Sequence, residues 1–257
     1  MDRRPVGFFD SGLGGLSVLR EAVKILPHEN FIFFGDNKNA PYGDKTRNEV
    51  ASLTADATDF LVSKGVKAVV LACNTATAAS VFELRKSLTL PIISVEPAIK
   101  PACEAGGDGS VLMLATLATT HLERYIRLKG RMQNPSRIID IPCPGLVERI
   151  EKGIIGVGEF DDILEKHLSP YYGIKVDAIV LGCTHYVFIG EAVREFALRH
   201  FSGDCKLYDG GAGTARQLGR RLRELDLEND SGCGDIEFCT SGDMNTYRPI
   251  FEKLMKI

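Results

Sequence analysis

The stretch KAVVLACNT, residues 67–75, returns as DAIVLGCTH at residues 177–185. Each copy is an apolar, β-branched run of strand length, the pattern of a strand buried on both faces of a parallel sheet. Val66, Ala68, Val70, Leu71 and Cys73 are matched by Val176, Ala178, Val180, Leu181 and Cys183, all at the offset 183 − 73 = 110. A fainter echo pairs VGFFDS (6–11) with VLMLAT (111–116). Apolar agreement between buried strands is common. A cysteine closing both, each followed by polar residues able to cap a helix, points to a duplicated unit.

Outward from these strands, short apolar runs (VGFF, FIFFG, AVVLA, IISV, then VLMLA, IIDI, AIVLG, CKLYD) alternate with amphipathic segments such as 46–64 and 190–201. The alternation predicts an α/β fold of right-handed βαβ units, in two pseudo-symmetric three-layer αβα lobes with mostly parallel sheets. EPAIKPACEAGGDGS (96–110), with two prolines and a Gly-rich tail, reads as the crossing between lobes, and KLYDGGAG (206–213) as the return. The expected division is therefore 1–97 plus 208–257 for a discontinuous first lobe and 98–207 for the second. Ligands of open α/β sheets sit outside the carboxyl ends of the strands. The site is expected in the cleft between the lobes, with one cysteine on each wall.

The bulk composition excludes several classes. A chain of 257 residues with 44% hydrophobic content can build proper cores. Its net charge of −3, without long basic runs, argues against nucleic-acid or anionic-membrane partners. Apolar runs of only strand length argue against a membrane span, and the start MDRRPVGFFDSG does not read as a signal peptide. Seven dispersed cysteines without CxxC suggest neither a disulfide framework nor a metal site, and so a reducing cytoplasm.

Two facing thiols admit four readings. They can be small buried hydrophobes. They can be a redox pair, which needs Cα atoms within about 7 Å and is disfavoured across a cleft. Cys183 can be a nucleophile beside His185, which leaves Cys73 unexplained. Or they act together: inverting a stereocentre needs a base on one face and an acid on the other, exchanging roles in the reverse direction. A thiol, with a reference pKa of about 8.5, suits that work if a helix N-terminus after each cysteine lowers it toward neutrality.

At this point FDSGLGGLSV (9–18), GDNKNAPYG (35–43), ACNTATA (72–78), TLAT (116–119), CPGLVERIE (143–151) and GCTHY (182–186) resemble, in order and spacing, the glutamate racemases, over almost the whole chain. The resemblance implies a cofactor-independent isomerase, without a metal, that interconverts L- and D-glutamate for peptidoglycan synthesis and usually forms homodimers. It implies that Cys73 and Cys183 are the proton donors and acceptors, assisted by Asp10 and His185 respectively. It further implies substrate contacts from Asp10, Ser11, Tyr42, Gly43, Asn74, Thr75, Thr116, Thr119, Thr184 and His185, with Asp36 and Glu151 in support. Carboxylates can be held by such hydroxyls and loop amides without Lys or Arg. Asp10, Asn74 and Thr75 are equally good helix caps, and Tyr42 after Pro41 a turn residue.

Two glycine-rich stretches resemble phosphate loops, but GLGGLS (12–17) has Ser17 where GxGxxG needs its third glycine, and DGGAGTAR (209–216) lacks GK[ST]. Val187 stands where the family usually has a proline that would pre-set a helix start. Aspartate racemases are the nearest alternative; Thr77 and His185 occupy positions where they resemble CNTAH and GCTE. A non-catalytic amino-acid sensor on the same two lobes is the alternative of another class.

Overall fold

The computed structural model describes residues 2–257. Nine strands form two sheets. β1 (Val6–Asp10), β2 (Phe31–Gly35), β3 (Ala68–Leu71), β4 (Ile92–Ser94) and β9 (Ile236–Thr240) form one, in the order β4-β3-β1-β2-β9. β5 (Ser110–Ala115), β6 (Ile138–Pro142), β7 (Val176–Leu181) and β8 (Lys206–Asp209) form the other, in the order β6-β5-β7-β8. Every pairing is parallel. With β1, β2, β3 and β4 set against β5, β6, β7 and β8, the two orders are the same. That is the duplication expected from the two cysteine strands, with β9 as an extra edge.

The strands form where the sequence is apolar because both faces of each sheet are covered. In β1, Phe8 lies in register with Phe33 of β2 and Val70 of β3, and all three enter one core. The alternating Phe9 and Leu71 enter the core on the opposite face. Each such fully buried side chain contributes about 1.5–3 kcal/mol by leaving water. Helices Arg47–Ser63 and Asn74–Ser87 cover one face of the first sheet. Helices Leu16–Ile25, Gly211–Glu224 and Met244–Met255 pack together on the other.

β8 carries the expected crossing slightly further along. Tyr208 and Asp209 pair with Val180 and Leu181, so they belong to the second sheet, and a boundary at 207/208 would cut this strand. The chain returns at Gly210, whose missing Cβ matters: one added there would lie 2.4 Å from the Glu96 carbonyl oxygen. The outgoing and returning crossings therefore touch.

At the sheet end away from the cysteines, fully buried Lys67 pairs with Glu29 at 2.5 Å. Its ammonium also donates to the carbonyls of Asp2 and Leu227, both at 2.7 Å. This cluster fastens the N-terminal residues, β3 and the segment before β9 to one another. No helix among the described residues is long and apolar enough to cross a membrane.

Candidate active site

The carboxyl ends of β1, β3, β5 and β7 converge. Asp10 ends β1 with Ser11 next, Cys73 stands two residues beyond β3, Thr116 follows β5, and Cys183 stands two residues beyond β7. Between them is a cavity of only about 20 Å³, lined by Ser11, Tyr42, Gly43, Cys73, Asn74, Thr75, Thr116, Thr119, Cys183, Thr184 and His185. Eleven expected residues thus share one wall system, with no Lys or Arg among them. Pro41 and Val147 also line it; both lie within the motifs GDNKNAPYG and CPGLVERIE but are not among the expected site residues. A space that admits about one water is smaller than an amino acid needs. A larger groove of about 1020 Å³ beside the crossings between the sheets, with Arg85, Arg124 and Arg221 on its walls together with Gly210 and Gly213, contains neither thiol.

Cys73 caps helix Asn74–Ser87, its Sγ accepting from the Ala76 amide at 3.4 Å, with Ser11 Oγ also at 3.4 Å. Despite the helix terminus, the thiol is pushed up to about 12: burial dominates, the Asp10 charge adds to it, and the Ser11 and Ala76 bonds only partly offset them. The expected lowering is therefore reversed in the closed cleft, because desolvating a thiolate outweighs one helix turn of oriented amides. After Cys183 the expected α-helix is a 3₁₀ stretch, Thr184–Ile189, and an α-helix starts only at Gly190. Val187, inside that stretch, leaves no proline-set start.

Asp10, Asp36 and Glu151 lie behind the lining. Asp10 is fully buried and accepts from the Gly12 amide at 2.9 Å and from Thr184 Oγ1, across the cleft, at 3.1 Å. Burial raises its carboxyl, a trend that His185 and the Gly12 bond oppose. Asp36 accepts from Tyr42 Oη and Ser241 Oγ, both at 2.6 Å, fixing the Tyr42 ring at the cavity wall. On the second wall, His185 Nδ1 faces Cys183 Sγ at 3.7 Å and Nε2 faces Glu151 Oε1 at 2.5 Å. The Gly14 amide also points at Nε2, at 3.1 Å, but the shorter, charged contact assigns that nitrogen's proton to the carboxylate. Burial opposes the imidazolium, yet Cys183 and Glu151 together raise His185 well above its ordinary value. Burial likewise opposes the Glu151 carboxylate, but the bonds from His185, Leu13 and Asn37 leave it below its usual value. The pair is held as imidazolium and carboxylate.

Hydroxyls bridge the lobes at the mouth. Thr75 Oγ1 from the first lies 3.1 Å from Thr116 Oγ1 and 3.2 Å from Thr119 Oγ1 of the second. Asn74 Oδ1 is buried without a partner. The arrangement offers two thiols, an acceptor oxygen and a set of neutral donors around one small space.

The sequence pattern of the Asp/Glu/hydantoin racemase family matches residues 14–218. A glutamate racemase of Clostridium perfringens (strain SM101 / Type A) is 43% identical over 255 residues, covering 98% of this chain and 96% of that protein. One of Clostridium novyi (strain NT) is 47% identical over 234 residues, covering 90% and 89%. The crystal structure of glutamate racemase from Francisella tularensis subsp. tularensis SCHU S4 in complex with D-glutamate superposes with a TM-score of 0.84 at 28% identity, covering 100% of this chain and 95% of that one. That of the Escherichia coli enzyme with L-glutamate and the activator UDP-MurNAc-Ala gives 0.80 at 31%, covering 98% and 95%.

Proposed function

This chain belongs to the Asp/Glu/hydantoin racemase family, and from that membership and the geometry of the cleft we infer how it works as a glutamate racemase. It is an isomerase that interconverts L- and D-glutamate. The observation that carries the two-base reading is the presence of Cys73 and Cys183 in the lining of one cavity, each at the end of a corresponding strand of a duplicated fold.

In the proposed cycle, one thiolate removes the Cα proton from one face of glutamate while the opposite thiol delivers a proton to the other face. In the reverse direction the roles exchange. Ser11 and Asp10 serve the Cys73 side. His185, as imidazolium, stabilises the Cys183 thiolate through its Nδ1–H, and the proton that Cys183 removes stays on the thiol until it is exchanged. Asn74 Oδ1 suits the substrate ammonium, and Thr75, Thr116, Thr119, Thr184 and the amide around Tyr42–Gly43 suit the two carboxylates. Asp36 orients Tyr42, and Glu151 holds His185. Entry of the substrate's ammonium and opening of the lobes both favour the Cys73 thiolate relative to the closed cleft, where burial suppresses it.

Further parts of the reading are a supply of D-glutamate for peptidoglycan, work as a homodimer in the cytoplasm, and a division at the Glu96–Gly210 contact, close to the expected 1–97 plus 208–257 and 98–207.

The test is solvent deuterium incorporation at Cα of glutamate and of aspartate, with Cys73→Ser and Cys183→Ser variants. Exchange with glutamate is expected, and each variant should lose about 10²–10⁴-fold in turnover. Incorporation with aspartate alone would overturn the substrate assignment. Full two-way turnover in either serine variant would overturn the two-thiol assignment.

A further inference from the structure

Glu151, like Asp10, has hydrogen-bond partners in both lobes. It follows the short second-lobe helix Leu146–Ile150. Its Oε1 meets His185 Nε2 from its own lobe and the Leu13 amide from the first, at 2.7 Å. Its Oε2 accepts from Asn37 Nδ2 at 2.9 Å, again from the first lobe. Asn37 is itself fixed from behind. Its Oδ1 accepts from Thr240 Oγ1 at 2.7 Å, which leaves the amide nitrogen facing the carboxylate. Thr240 ends β9, in register with Gly35. The glycine is needed there: a Cβ on Gly35 would come within 2.7 Å of Asn37 Oδ1. Neither Asn37 nor Thr240 lines the cavity.

Resting on the two-thiol reading, we propose that Asn37 and Thr240 are positioning residues for Cys183. They hold Glu151 against His185 only when the lobes are closed, and so tie closure to the readiness of Cys183. The row runs Thr240–Asn37–Glu151–His185–Cys183, crossing the cleft once, at the Asn37–Glu151 bond. Parting of the lobes breaks that bond together with the Leu13 bond and leaves the carboxylate with His185 alone. On the Cys73 side Thr184 Oγ1 donates to Asp10 across the cleft, but the hydrogen-bond partners of the thiol itself, Ser11 and the Ala76 amide, belong to its own lobe. The titratable groups that face the Glu151 carboxylate are His185, Asp10 after β1's apolar run, and Tyr247 of helix Met244–Met255.

The experiment compares Asn37→Leu, Thr240→Val and Thr240→Ser with the natural enzyme. Enantiomers have equal free energy, so kcat/KM must fall equally in both directions whichever thiol is affected. The primary isotope effect with α-deuterated L- and D-glutamate need not. Expected is a loss of about tenfold in kcat/KM for Asn37→Leu and less for Thr240→Val. The isotope effect should rise for one enantiomer only, the same one singled out by His185→Asn. The alkaline limb of the kcat/KM profile should move to lower pH by about half a unit, since a less firmly held carboxylate supports the imidazolium less. Thr240→Ser keeps the hydroxyl and should restore all three. A loss with isotope effects moved equally for both enantiomers, or no change in either variant, would overturn the proposal. If Asn37→Leu does not fold, Thr240→Val against Thr240→Ser decides it alone. Failure of the natural enzyme to exchange Cα hydrogen would instead overturn the two-thiol reading itself.

Discussion

Replacing Gly12 by alanine should disable the enzyme without unfolding it. Gly12 lies outside the left-handed region of backbone conformation, so alanine suits its backbone. An added Cβ, however, would lie 2.2 Å from Glu151 Oε1 and 2.8 Å from Cδ. A carbon–oxygen contact needs about 3.2 Å, so the carboxylate must withdraw by about 1 Å. Oε1 now stands 2.5 Å from His185 and 2.7 Å from the Leu13 amide. Both bonds would lengthen beyond useful range. Hydrogen bonds to a charged group contribute about 1.5–3 kcal/mol each, and partial hydration returns some of that. A net loss of about 2–4 kcal/mol predicts a fall of about 30- to 1000-fold in kcat/KM. The clash is relieved by withdrawal of the Glu151 side chain rather than by breaking either core, so the chain stays folded and the loss of stability should not exceed the same about 2–4 kcal/mol. Racemisation followed by circular dichroism, with thermal melts alongside, measures both. The same substitution in a Glu151→Ala background should cost almost nothing further, since two residues acting through one contact are not additive. Activity within threefold of the natural enzyme, or full additivity in the double variant, would refute the reasoning.

Two further outcomes concern stability. Cys73 and Cys143 are both pushed up to about 12, chiefly by burial. An unfolded thiol ionises near 8.5, so the folded state holds the extra proton between those values. Each thiol should therefore remove up to about 1.4 kcal/mol of stability per pH unit as pH rises above about 8.5, and nothing below it. Denaturant melts from pH 7 to 10 check this, and Cys143→Ala should flatten the slope. Lys67→Met should cost about 3–5 kcal/mol, because it leaves the buried Glu29 charge and two carbonyls without their ammonium. Urea titration reads that cost. A loss below about 1 kcal/mol would mean that the pair is neutralised or hydrated rather than buried as ions.

Much of the candidate site was legible because its residues sit at strand ends, where local sequence carries the pattern. Cys73 and Cys183 stand two residues past β3 and β7, and Ser11, Asn74, Thr75, Thr116, Thr184 and His185 are their immediate neighbours or equivalents. Asn37 lies inside a stretch that drew notice, yet nothing local separates it from an ordinary turn residue. Thr240 gave no signal at all. Its role depends on β9 joining the first sheet beside β2, about two hundred residues after Asn37. Lys67 was hidden for the same reason: a lysine opening a strand reads as solvent-facing until Glu29 and the Leu227 carbonyl are brought to it.

The residues by themselves determined the duplicated α/β plan, since a buried parallel strand needs an unbroken apolar run and a cysteine at the same terminus twice is hard to produce otherwise. They also determined which side chains reach the cleft, because strand direction sends every carboxyl end to the same side. Tertiary packing decided the rest. Burial reversed the ionisation expected of Cys73, and packing within the second lobe made one pair of Glu151 and His185, because both effects depend on which surfaces exclude water together and not on neighbours along the chain.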